Sequence, residues 1–227
     1  MNIFQDWSDR FASYFSNFSE KASTIFGNPT SIFALVGLAI IVFALLKFKK
    51  VKLDAKMISR IGIALALACV LQILRIYQFP MGGSVTLGGM VPLLLIAFIY
   101  GPEVGFLTGF LYGLLNLFMD PYFVHPVQIL FDYPLPSLAI GLAGYFKNHK
   151  LLGTGLAFLA KFVCHFISGV VFFGSYGAEF GMGPSLYSLV VNAPMVGADA
   201  IICLVIIAIL PINRLLKRDD TTMASNS

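Results

Sequence analysis

The sequence predicts an all-α integral membrane protein that crosses the bilayer with about seven helices. Three observations carry this. The 227 residues are 58% hydrophobic and only 11% charged, whereas a soluble domain carries roughly 25% charged residues to wet its surface. The apolar residues come in blocks, each long enough to cross ~30 Å of hydrocarbon as a helix of roughly 20 residues. The blocks show no period-two alternation, so helices rather than a closed barrel must satisfy the backbone polar groups in lipid. A mean hydropathy of +0.87 agrees.

Taken in order, residues 1–28 lack the basic start and apolar core of a signal peptide. Phe4, Trp7, Phe11, Tyr14 and Phe18 recur at three- and four-residue steps. That spacing predicts an amphipathic helix lying in the membrane interface, with a partner-binding or disordered leader as the alternative. Gly27-Asn28-Pro29 ends it. Spanning helices are predicted over 31–47, 57–78, 88–100, 104–119, 126–147, 151–173 and 186–212. The third is short and follows a glycine-rich run, residues 82–89, which is a candidate for a loop folded back over a binding site. Gly105, Gly109 and Gly113 repeat every four residues on the fourth helix, a stripe for close helix packing.

Charge sets the orientation. Lys47, Lys49, Lys50, Lys52, Lys56 and Arg60 separate the first two helices. Lys147 and Lys150 separate the fifth and sixth, and Arg214, Lys217 and Arg218 follow the seventh. Seven crossings put all three groups on one side, and lysine and arginine collect in the cytoplasm. The N-terminus is expected outside and the C-terminus inside. The net charge of +4 is explained by anionic inner-leaflet lipid, without nucleic acid. Cys69, Cys164 and Cys203 stand singly in apolar blocks, which fits packing rather than a disulfide or zinc site. No P-loop, HExxH or GxSxG motif occurs, and no cofactor is expected.

An ionisable residue inside a spanning helix is costly and usually faces a cavity or a partner. Asp132, His165, Lys161 and Asp199 qualify, with Asn192, Gln128 and Asn116 beside them. Counting from the predicted outer helix ends at 1.5 Å per residue, Asp132, His165 and Asn192 all sit roughly 9–12 Å deep. Three helices supplying polar groups at one depth suggest an outward-opening pocket. Tyr122, Tyr133, Tyr187 and Phe173 put rings near that level, where an ordinary interfacial aromatic belt is the other reading. Rings with a carboxylate suit a flat, cationic organic molecule. Lys161 and Asp199 lie deeper, at roughly 18–20 Å; a pair between them would be structural, and whether they pair is left open.

Several runs resemble the thiamine-specific substrate-capture subunit (S-component) of energy-coupling factor (ECF) transporters. They are Gly82-Gly83-Ser84-Val85-Thr86, Pro121 to Gln128 leading to Asp132-Tyr133, His165 to Ser175, and Tyr187-Ser188-Leu189 with Asn192. The match spans about residues 55–218. It implies a non-enzymatic six-helix core at 51–218 that binds thiamine from outside. An additional transmembrane helix (29–50) and the amphipathic leader (1–28) precede this core, and a cytoplasmic tail (219–227) follows. Import would need a transmembrane coupling protein and two ATPase subunits in a prokaryotic plasma membrane. Carried over by position, the ligand contacts are Tyr122, Asp132, Tyr133, His165, Phe173, Tyr187 and Asn192. The small-residue spacing that docks on the coupling protein falls on Ala64 and Ala68. The chain departs from the family in having no tryptophan in the core, Val191 before Asn192, and a charge at Asp199.

Three other readings stand beside this one, the barest being a structural subunit with no ligand, which would explain the glycine stripe but not the polar and aromatic residues clustered at one depth. The same architecture would serve a thiamine precursor or a related heterocycle. A different class, an intramembrane enzyme, would use Asp132 and His165 as acid and base, although no motif supplies a nucleophile.

Overall fold

The computed structural model describes residues 29–48, 51, 53–79, 83–122 and 124–212. The leader, Lys49, Lys50, Lys52, Gly82, Arg214, Lys217, Arg218 and the tail lie outside the described residues. The chain divides into two units, residues 1–40 and 41–227, with the boundary inside the first described helix, α1 (Pro29–Phe48).

Within the second unit, α2 runs Ala55–Ile73 and starts at Asp54, whose side chain accepts the Met57 N–H at 2.6 Å. The predicted second helix reached residue 78, but the chain leaves the helix at Leu74. Arg75–Gln78 forms β1 and pairs antiparallel with β2 (Ser84–Thr86), joining Tyr77 to Val85 and Gln78 to Ser84. Pro80 bars helical backbone only at Phe79; the earlier exit at Leu74 goes with the pairing of β1 on β2. Gly83, at φ +80°, supplies the turn and presses on α8 (Pro184–Ile209), where a Cβ would meet Met195 Sδ at 1.9 Å. The glycine-rich run therefore returns as a strand.

The short α3 (Val91–Tyr100) has ten residues, about half a bilayer crossing at 1.5 Å per residue. Leu93, Leu94, Ala97 and Phe98 are wholly buried, so protein rather than lipid surrounds it. It turns through Gly101 into α4 (Pro102–Met119). The glycine stripe of α4 does what its spacing predicts. A Cβ at Gly105 would lie 2.7 Å from Ala97 Cβ, one at Gly109 2.2 Å from the Ser137 carbonyl oxygen, and one at Gly113 2.6 Å from that of Tyr133. Backbones meet directly there because lipid offers no hydrophobic drive and close packing must hold the helices.

The fifth crossing is not one regular helix. It breaks into α5 (Pro126–Asp132), α6 (Pro134–Leu138) and a 3₁₀ segment, Ala139–Phe146. Pro134 and Pro136 lack the N–H groups that would bond the carbonyls of Leu130 and Asp132, so the ladder fails beside Asp132. Helix α7 (Lys150–Phe172), a 3₁₀ segment (Gly174–Phe180) and α8 complete the bundle. Among the described residues, five segments are long and apolar enough to span a membrane: 55–73, 102–119, 126–146, 150–172 and 184–209. Apolar stretches in α1 and α3 are shorter.

Arg60, Lys147 and Lys150 meet at one end of the bundle. They donate respectively to the Tyr100 hydroxyl (2.6 Å), the Ile99 carbonyl (3.3 Å) and the Leu210 carbonyl (3.1 Å). Helix α2 is inside out by soluble standards. Ile58, Ile63, Leu67 and Ile73 are exposed, while Ala64 and Ala68 are buried at 6% and 0% exposure. Ala64 packs with Ile61, Ile96 and Val104, and Ala68 with the core around Leu94 and Phe98. Ala64 and Ala68, the positions expected to dock on a coupling protein, thus lie on the inward face of α2.

Candidate functional site

Helices α2, α4, α5, α6, α7 and α8, with β2, line a cavity of about 160 Å³. The structure brings Tyr122, Asp132, Tyr133, His165, Phe173, Tyr187 and Asn192 to its wall, together with Gln128, Asn116, Lys161 and Asp199. The equal-depth reasoning from three helices thus corresponds to one physical space.

Asp132 occupies the last position of α5, where the prolines interrupt the fifth crossing. One carboxylate oxygen accepts the Gln128 amide N–H at 2.6 Å. The other lies 3.4 Å from His165 Nδ1, and the two side chains keep 20% and 13% exposure. Both are therefore fixed yet open to the cavity. Aromatic rings form the rim: Tyr122 and Phe173 stack at 6.0 Å and 22°, and Phe173 continues to Tyr176 at 6.4 Å. Tyr187 stacks on Phe180 at 6.4 Å and 19°.

Tyr133 reaches the cavity wall but is largely a brace. Its hydroxyl accepts the Tyr122 N–H at 2.8 Å and donates to the Asp120 carbonyl at 2.7 Å. Both roles of a phenol are thereby committed. Asp120 is in turn paired with Arg75 at 2.7 Å, which ties the start of β1 to the end of α4. Asn192 donates to the Ser188 carbonyl at 3.0 Å, and Ser188 Oγ donates to the Phe166 carbonyl at 2.8 Å. A Cβ at Gly169 would strike Ser188 Oγ at 2.2 Å, so that glycine allows α7 and α8 to close around these bonds.

Lys161 and Asp199, whose pairing the sequence left open, form no ion pair among the described residues. Asp199 instead takes the Thr86 hydroxyl at 2.7 Å and the Thr86 N–H at 3.3 Å, while Lys161 lines the cavity. The hairpin, which the sequence reading treated as a loop, supplies donors that were not foreseen. Gln72 was also passed over. It donates to Ser84 Oγ at 3.1 Å and accepts from the Tyr112 hydroxyl at 3.4 Å, joining α2, β2 and α4. Its signal was present in the sequence, as a polar amide inside an apolar block. No cluster of metal-ligating side chains occurs among the described residues. Chemically, fixed carboxylate and stacked rings accept a planar cation with N–H donors.

These features define a multi-pass helical membrane protein with a polar, aromatic-walled small-molecule cavity between its helices. Residues 58–218 match the thiamine transporter protein family (Thia_YuaJ). The thiamine transporter ThiT of Bacillus subtilis is 35% identical over 180 residues, covering 70% of this chain and 93% of the relative. ThiT of Lacticaseibacillus paracasei is 28% identical over 142 residues, covering 54% and 70%. The solved structure of ThiT from Listeria monocytogenes superposes with a TM-score of 0.58 at 26% identity, covering 73% of this chain and 95% of that one. The chain belongs to the thiamine transporter protein family. Its relatives are transporters, so the intramembrane-enzyme reading is set aside.

Proposed function

We propose that this chain is the substrate-capture subunit of an ECF-type vitamin importer, which binds thiamine from outside. Residues 51–218 form the binding core in this reading. A separate transmembrane coupling protein and two ATPase subunits deliver the vitamin inward. Asp132 carries the proposal: an anchored carboxylate open to a cavity walled by Tyr122, Phe173 and Tyr187. Thiamine offers a thiazolium cation and an aminopyrimidine. The rings stack on it or face its charge, and Asp132 balances that charge or accepts the amino N–H. Tyr122, His165, Phe173, Tyr187 and Asn192 are the proposed ligand contacts, with Tyr133 holding the wall.

The proposed topology has the N-terminus outside and the C-terminus cytoplasmic, with the Arg60, Lys147 and Lys150 end facing inward by charge. The coupling strip moves to the outward side of α2. There Ser59, Gly62 and Ala66 are exposed, and a Cβ at Gly62 would meet nothing within 4 Å. A thiamine precursor is the second reading, favoured by one observation: the chain's one tryptophan, Trp7, lies outside the core. Calorimetric titration of the detergent-solubilised chain with thiamine, alongside Asp132→Ala, tests the proposal. A nanomolar to low micromolar Kd, weakened at least about tenfold in the variant by loss of a charge-assisted contact, is expected. Tight binding of the separate pyrimidine with none of thiamine would select the precursor.

A further inference from the structure

Gln128 lies on α5 one turn before Asp132 and is 1% exposed. A buried amide has two N–H donors and one carbonyl acceptor to satisfy. Here the Nε2 group donates to Asp132 Oδ2 at 2.6 Å and to the Tyr122 carbonyl at 3.2 Å. The Oε1 atom accepts the Val124 N–H at 3.1 Å. Both donors are therefore spent on protein groups and the oxygen already accepts once, so Gln128 has no N–H left for a ligand although it lines the cavity. Its partners are the carboxylate and the backbone on either side of residue 123. That backbone carries Tyr122, whose ring stacks on Phe173.

We infer that Gln128 is the positioning residue of the site, orienting the Asp132 carboxylate and seating Tyr122 against Phe173 without touching the ligand. The inference rests on the proposal that Asp132 receives a cationic ligand. Its physical basis is the short helix itself. Helix α5 has seven residues and ends where Pro134 and Pro136 break the ladder. Backbone packing alone leaves the Asp132 rotamer weakly determined at such a helix end, and one buried donor at i−4 fixes it. His165, on a different helix and at 3.4 Å, is the looser of the two contacts. It is left as the side on which the carboxylate can respond to a ligand.

The test is a double-mutant cycle in full-length protein, with Kd for thiamine measured by calorimetry. The variants are Gln128→Leu, Asp132→Asn and the pair. Gln128→Leu keeps the volume and removes every amide bond. It is expected to weaken binding about tenfold or more, the scale of one hydrogen bond to a charged group. In the Asp132→Asn background the same change should cost at least about threefold less, because the share that runs through the carboxylate is gone and only the seating of Tyr122 remains. That non-additivity is what a merely structural role would not produce. If the wild type binds and Asp132→Asn weakens it, but Gln128→Leu is neutral or the cycle is additive, the positioning role is overturned and the thiamine reading stands. If the folded wild type binds no thiamine, both fall together. Should Gln128→Leu fail to fold, Gln128→Met, unbranched and likewise without an amide, goes through the same cycle against the same criteria.

Discussion

Replacing Tyr133 with Phe removes one oxygen from a ring that is 6% exposed. That oxygen accepts from Tyr122 N–H and donates to the Asp120 carbonyl, at 2.8 and 2.7 Å. Each bond is worth about 1 kcal/mol net, so the pair contributes about 2 kcal/mol. Tyr122 is half exposed, so water can take over its amide, which brings the expectation toward the lower end. For a chain of this size 1 kcal/mol moves Tm by about 2–4 °C, and a fall of about 4–8 °C follows as an upper range. The three cysteines, Cys69, Cys164 and Cys203, are buried or half-buried, so a thiol-reactive dye followed through a thermal ramp reports unfolding directly. Thiamine affinity should fall by less than about tenfold, because no hydrogen bond to a charged group is lost. An unchanged Tm with abolished binding would refute the reasoning, since it would make the hydroxyl a ligand contact rather than a brace.

Gly109→Ala drives a methyl group to 2.2 Å from the Ser137 carbonyl. Backbone on both sides has to move, so a loss of about 1–3 kcal/mol is expected in the same thermal assay. Thr86→Val removes the hydroxyl that donates to Asp199 at 2.7 Å. It should lower Tm and speed amide exchange over β2, at a cost of about 1.5–3 kcal/mol. Arg75→Ala breaks an ion pair whose side chains are 31% and 44% exposed. It should cost under about 1 kcal/mol, and less at high salt.

The class of fold and the positions of its helices were legible because lipid imposes a single length and a single polarity on each crossing. The glycine stripe of α4 was legible for the same reason: small residues at i and i+4 have one structural use in apolar helices. Local breaks were not. Pro134 and Pro136 sat inside a continuous apolar run, and periodicity over that run concealed the end of α5 beside Asp132. The hairpin was hidden because Ile73–Tyr77, interrupted only by Arg75, continues the apolar run of α2, although Pro80 and the glycines that follow marked its turn. The inward direction of Ala64 and Ala68 was not legible, because small spacing reveals that a helix approaches something closely, and not which neighbour it approaches. The cavity residues were legible as costly polar groups in a wrong solvent. The partners they chose were not, since Thr86 and Asp199 are 113 positions apart.

Asp132 and Asp199 both line the cavity as carboxylates, and their bonds separate their roles. A buried charge needs compensation, because stranding it costs several kcal/mol. Asp199 is 4% exposed, and both donors to its one oxygen come from Thr86 on a different element. Its carboxylate thus ties β2 to α8. Asp132 draws its short bond from its own helix and keeps 20% of its side chain exposed. The bond holds the group without covering it, so Asp132 is the carboxylate presented to a cation. Isosteric substitution separates the two uses. Asp199→Asn retains an oxygen that accepts from Thr86, and it should leave thiamine affinity within about threefold, since neutral acceptors still bond. Asp132→Asn removes the charge facing the ligand and should cost about tenfold or more. Calorimetry on both variants decides between them. If Asp199→Asn carries the larger loss, the ligand's charge sits at the deep end of the cavity, near Lys161 and the hairpin, and the assignment of the two acids is reversed.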